Sequence, residues 1–256
     1  MAAIRTGYPE VAVWSGGSQA ADLDVWFLHA FADTHEVFGH AFTARLAQRA
    51  RILALDLPGH GESPARPGGL TVEESAQVWR DAIAALSSSR RVVLVAHSMG
   101  SIIATETARL LERLPELVIS VEGNLTLADA YFSGEAARFA DPRTFHAHLQ
   151  RKILELAACD ETLRRFSDRI RHADSRTLWV LGRSVLARQT PGSDFLGLGC
   201  PTVYYWDAAS VGEEAKRFLL EHVVRHRSFD GQGHWPMIKV PESFYAAIEE
   251  DILLWT

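Results

Sequence analysis

A chain of 256 residues, 47% hydrophobic and 23% charged, has enough apolar surface for one sizeable core and the composition of an ordinary globular protein. That apolar content excludes an intrinsically disordered chain, and a formal net charge of -6 argues against nucleic acid, whose phosphates select a basic face. Two cysteines, Cys159 and Cys200, exclude a disulfide scaffold and a four-cysteine zinc site. No apolar run approaches the roughly 18–20 residues that span a bilayer. No apolar stretch follows Arg5, so we read no signal peptide, no membrane partner and a cytoplasmic location.

Along the chain, short β-branched runs alternate with longer helical stretches. Tyr8 to Trp14 reads as an antiparallel first strand. Asp24 to His29, Arg51 to Asp56, Arg91 to Ala96 and Leu117 to Val121 read as strands of a parallel sheet, because near-continuous apolar runs suit strands covered on both faces. Helical spacing fills Val72 to Leu86 and Ser101 to Leu114. This alternation predicts a doubly wound α/β domain. After Val121 the rhythm breaks: residues 128–199 are mostly helix-like, punctuated by Pro142 and Pro191, with only an ambiguous strand signal at Thr177 to Leu181. Strand pattern returns at Pro201 to Trp206 and Val224 to Phe229, and an amphipathic helix closes the chain from Glu242 to Leu254. We therefore expect a core of residues 1–127 and 200–256 and a helical cap of 128–199 over the carboxyl ends of the strands, where such sheets bind ligands.

The sharpest motif is Ala96-His97-Ser98-Met99-Gly100, directly between a predicted strand and a predicted helix. A serine at such a turn is held in a strained conformation that exposes its hydroxyl, and the turn needs small residues two places to either side. The plainer alternative is a strand followed by an N-cap serine.

Together with three other segments, this motif resembles the α/β-hydrolase superfamily. Leu28-His29-Ala30-Phe31 is similar to the family's oxyanion loop, with Ala30 where glycine is usual. Asp56-Leu57-Pro58-Gly59-His60-Gly61-Glu62-Ser63 is similar to the turn after its fourth strand. Gly231-Gln232-Gly233-His234 is similar to the loop of its catalytic histidine. The resemblance runs from about Asp24 to Leu254. It implies an α/β-hydrolase fold, a mostly parallel central sheet with helices on both faces and a helical cap. It further implies Ser98 as nucleophile, His234 as general base, and the N–H groups of Phe31 and Met99 as oxyanion hole. His29 and His60 would support loops, and His97 would point away from the nucleophile.

For the acid, two carboxylates compete. Asp207 ends the strand after the cap, where most of the family carries its acid, but about three residues early; Ser210 stands at the usual place. Glu122 ends the strand after the elbow helix, as in haloalkane dehalogenases and zearalenone lactonases, and a carboxylate ending a buried run needs a partner. Glu122 is preferred. A short likeness to the lactonase branch in Leu178-Trp179-Val180-Leu181-Gly182 makes Trp179 a candidate substrate contact, against the plainer reading that it packs the cap.

The leading expectation is a serine hydrolase that cleaves an ester or lactone of a small, largely apolar molecule through an acyl-enzyme. No metal or organic cofactor is implied, and the chain is expected to be a monomer or homodimer. The alternatives are hydrolysis of a carbon–carbon bond in a diketone, cofactor-free acyl transfer, and a ligand receptor built on the same fold. An aspartyl dehalogenase or epoxide hydrolase is disfavoured by Ser98.

Overall fold

The computed structural model describes residues 4–88, 90–158 and 160–255, and eight strands in it share one sheet. They are β1 (Ile4–Arg5), β2 (Val13–Gly17), β3 (Leu23–Leu28), β4 (Arg51–Leu55), β5 (Arg91–His97), β6 (Leu117–Val121), β7 (Thr202–Trp206) and β8 (His226–Ser228). The spatial order is β1-β2-β4-β3-β5-β6-β7-β8. Only the β1–β2 and β2–β4 pairings are antiparallel; the other five are parallel. Successive side chains of a strand face opposite sides. Every residue of β3 and β6 is buried, so both faces of the sheet centre are covered. Trp26 of β3 is fully buried and donates its indole N–H to Ser87 Oγ at 2.9 Å.

Around the sheet lie α1 (Val72–Ser87), α2 (Gly100–Leu110), α7 (Glu213–Glu221), α8 (Pro236–Lys239) and α9 (Pro241–Trp255), while α3 (Pro142–Leu156), α4 (Glu161–His172), α5 (Ser175–Val185) and α6 (Pro191–Leu196) fall between β6 and β7. Helix α1 begins at a capping box in which Thr71 and Glu74 satisfy each other's backbone N–H groups. Helices α3, α4 and α5 start at Asp141, Asp160 and Asp174, whose carboxylates accept first-turn N–H groups. Docking ties connect this helical segment to the loop after β4 and to α1: Asp174 N–H donates to Gly59 O at 2.8 Å, and Val72 N–H to Ser184 Oγ at 3.0 Å.

Two expectations are corrected. The antiparallel strand expected at Tyr8 to Trp14 is instead Val13–Gly17, because pairing with Leu55 through Arg51 sets its register. The ambiguous segment Thr177 to Leu181 is helical within α5, where the Asp174 cap and burial of Leu178 and Leu181 outweigh its short β-like run. The remaining strands and helices lie within a few residues of the expected spans.

Candidate active site

The chain between β5 and α2 turns sharply at Ser98, whose φ of 53° places a non-glycine residue in the left-handed region. Its N–H donates to Val121 O at 2.8 Å, and its carbonyl accepts from Ser101 N–H at 2.9 Å. The turn works only with small neighbours. A Cβ on Gly100 would lie 2.6 Å from the carbonyl oxygen of His29, so glycine lets the elbow approach the loop after β3. Ala96 is fully buried on the other side.

Glu122, at the end of β6, also has a left-handed backbone, with φ of 49°. Its N–H donates to Tyr205 O at 2.7 Å, and its side chain is 1% exposed. Oε1 accepts from Asp207 N–H at 2.5 Å, and Oε2 from Ser210 Oγ at 2.5 Å. The same Oε2 lies 3.4 Å from His234 Nδ1. Such backbone strain persists only where surroundings enforce it, and it concentrates at functional sites.

Asp207 takes a different position. Its carboxylate accepts from Gly233 N–H at 2.6 Å and from Ala209 N–H at 2.9 Å, and so holds the glycine turn before His234 rather than the imidazole. Burial acts to raise its pKa, but backbone N–H groups of Ala209, Gly233, Gly231 and Gln232 outweigh that and hold it below the usual carboxylate range.

One cleft gathers Ser98, Met99, Phe31 and His234. Phe132, Phe166 and Trp235 supply apolar walls, and Asn124, Asp129, Tyr131 and Ser133 the polar ones. Among the described residues no hydrogen bond joins Ser98 Oγ to His234; such bonds are often long before substrate binds. The N–H groups of Phe31 and Met99 have no acceptor among the described residues. Ala30, at the usual glycine position, keeps an ordinary φ, and the left-handed residue of this turn is Ala32, at 59°. Beside the polar wall, burial first and then the charges of Asp129 and Glu122 raise the Tyr131 pKa to about 12, so its hydroxyl keeps its proton at working pH.

Three other histidines hold the loops. His29 Nε2 accepts from Leu57 N–H at 3.0 Å, so Nδ1 carries the proton and donates to Ala30 O at 2.7 Å. Burial, and then His60, push its pKa down to about 3. His60 is likewise buried and its pKa is lowered by burial. His97 donates its Nε2 proton to the carbonyl of His234 at 2.7 Å, and burial followed by the charge of His234 keeps it neutral. Sequence reasoning set His97 aside; its motif position carries no sign of that bond, which spans 137 residues.

Trp179 does not reach the cleft. Helix α5 directs its indole to Phe139 O at 3.0 Å, and the Arg183 guanidinium sits 4.7 Å over its ring. Of the described aromatics between β6 and β7 only Tyr131, Phe132 and Phe166 line the cleft; Phe145 of α3 is fully buried. The cleft residues Asn124, Asp129 and Trp235 were missed, although Trp235 follows His234 directly. Cys200 is half-buried with its thiol pushed up to about 11 by burial, and Cys159 lies outside the described residues. No described helix is long and apolar enough to cross a membrane.

The architecture is similar to that of many solved proteins. A thermophilic esterase from Thermogutta terrifontis superposes with a TM-score of 0.75 at 19% identity over 100% of both chains. The N-acyl homoserine lactonase AidH gives 0.75 at 16% identity, over 99% of this chain and 96% of the other. MenH from S. aureus gives 0.74 at 13% identity, over 93% and 96%. No curated protein matches the sequence. The model of the alpha/beta hydrolase family matches residues 27–247. With the strand order and the strained serine turn described above, that match over most of the sequence makes this chain a member of the alpha/beta hydrolase family.

Proposed function

We propose that the protein is a serine hydrolase of carboxylic esters or lactones, acting through an acyl-enzyme at Ser98. The observation that carries this reading is that His234 and a left-handed Ser98 line one cleft while the buried Glu122 Oε2 approaches His234 Nδ1 from behind it. A serine hydroxyl is a poor nucleophile until a base takes its proton. With Nδ1–H directed to Glu122, His234 presents an unprotonated Nε2 to Ser98 Oγ. As Oγ adds to the carbonyl carbon, that proton passes to Nε2, and the N–H groups of Phe31 and Met99 take the developing oxyanion charge. The imidazolium then protonates the departing alkoxide oxygen, which in a lactone stays tethered to the acyl group. Water, deprotonated by His234, adds to the acyl carbon; the bond to Ser98 Oγ then breaks as the imidazolium returns that proton to Oγ, freeing the acid and restoring the neutral histidine. Residues 128–199 act as the cap, and Phe132 and Phe166 suit an apolar substrate part.

Hydrolysis of p-nitrophenyl acetate, p-nitrophenyl butyrate and a γ-lactone by the intact protein and by Ser98→Ala tests the proposal. Loss of about a thousand-fold or more in kcat in the variant is expected. A fluorophosphonate probe should add its mass to the intact protein and not to the variant. Equal rates, or no turnover of any ester or lactone, would remove the reading.

A further inference from the structure

We infer that Asp33 is a positioning residue through which cap helix α4 holds both arms of the site, the oxyanion turn and the histidine loop. The inference rests on the hydrolase reading above. Asp33 lies two residues after Phe31 and is fully buried. Its Oδ1 accepts from Thr34 N–H at 2.9 Å and pairs with Arg169 Nε of α4. Its Oδ2 accepts the indole N–H of Trp235, the residue after His234, at 3.3 Å. One carboxylate therefore joins three segments: residues 30–34, 234–235 and α4.

Neighbouring contacts repeat the connection. Phe166, one turn before Arg169 on α4, packs against the Trp235 ring with centroids 5.4 Å apart, and the Phe31 ring lies 6.3 Å from Phe145 of α3. The Arg169 side chain is 10% exposed; its Nε pairs with Asp33 by charge alone, and both Nε and Nη2 are buried without a hydrogen-bond partner among the described residues. A contact retained only for stability is poorly served by such an arrangement. In a buried ion pair the Coulomb gain roughly balances the loss of hydration, and an orphaned donor adds a further cost. What the pair provides is geometry, because a carboxylate that accepts from two N–H donors and faces one buried guanidinium defines where each of them sits. If α4 shifts, the Phe31 N–H and the His234 ring shift with it, and a displacement of about 1 Å can cost on the order of a hundred-fold in rate.

The test compares the intact protein with Arg169→Lys, Arg169→Met and the double variant Asp33→Asn/Arg169→Met. The double variant removes both charges, so no uncompensated carboxylate stays buried and folding is retained. Three readouts are taken: kcat and KM on p-nitrophenyl acetate, the melting temperature, and hydrogen–deuterium exchange over residues 29–36 and 231–238, with β2 as control. We expect kcat to fall about 10- to 100-fold in Arg169→Met with KM within about three-fold, and Arg169→Lys to restore most of the loss. The double variant should recover its melting temperature but not kcat, with faster exchange in both segments and none in β2. Recovery of kcat together with the melting temperature, or exchange confined to the cap, would overturn the inference. If the intact protein turns over no ester, the hydrolase reading falls, and the exchange of the two segments alone decides whether α4 holds them.

Discussion

Replacing Glu122 by Gln and Asp207 by Asn separates the two carboxylates that compete for His234. In Glu122→Gln the amide oxygen takes the place of Oε1 and keeps Asp207 N–H, which lies 2.5 Å from Oε1 in the native protein. The amide NH2 then faces His234 Nδ1 and Ser210 Oγ. Ser210 can turn its proton to Asp207 O, already 3.1 Å away, so every buried partner stays satisfied and the fold is retained. The imidazole cannot adapt so easily. With a donor facing Nδ1, the favoured tautomer carries its proton on Nε2 and has no lone pair for Ser98. The corresponding change in a serine protease costs about 10⁴ in kcat, and we expect a loss of about 10³–10⁴ here with KM little changed. Asp207→Asn keeps one acceptor oxygen and turns an NH2 against the other of the Gly233 and Ala209 N–H groups, which costs about 1–3 kcal/mol of stability, while kcat stays within about ten-fold. The assay is p-nitrophenyl ester kinetics over pH 6–9, with urea melts of each variant. If Asp207→Asn is the variant that loses a thousand-fold while Glu122→Gln stays within ten-fold, the geometric argument is refuted.

Two further outcomes follow from the strained and buried groups. Ser98→Gly removes the side chain from a left-handed position and should raise the melting temperature by about 2–4 °C, from roughly 1 kcal/mol of relieved strain, while abolishing turnover; a lower melting temperature would show that the turn is not strained. His29, neutral when folded with a pKa pushed down to about 3, titrates near 6.5 when unfolded. The unfolded chain therefore binds the extra proton between these values. The stability from this group is complete above about pH 6.5 and is lost as pH falls toward 3, amounting to about 2 kcal/mol between pH 7.5 and pH 5. His60 and His97 act in the same direction. Urea midpoints of the intact protein and His29→Gln should converge as pH falls, the variant showing a shallower decline; parallel declines would contradict the burial argument.

Sequence windows sufficed where the physics is local. The apolar runs that became β3 through β7, the small residues around Ser98, and the glycines before His234 all act within a few residues, so their order along the chain already implied a serine turn and a histidine loop at one end of a sheet. The choice between carboxylates was not local. Glu122 and Asp207 end adjacent strands, and what separates them is that Glu122 takes a left-handed φ while Asp207 is occupied by Gly233 N–H. Nothing in either neighbourhood encodes that division. It arises when β7 pairs with β6 and carries Ser210 onto Glu122. Trp179 sits on a helix face whose direction depends on how the helices between β6 and β7 pack on one another, and there Phe139 and Arg183 claimed the indole. Asp33 and Arg169, far apart in the chain, meet only when α4 docks on the loop after β3. Periodicity and turn chemistry operate over one or two turns of chain, whereas the partner of a buried charge is decided by packing across the whole molecule.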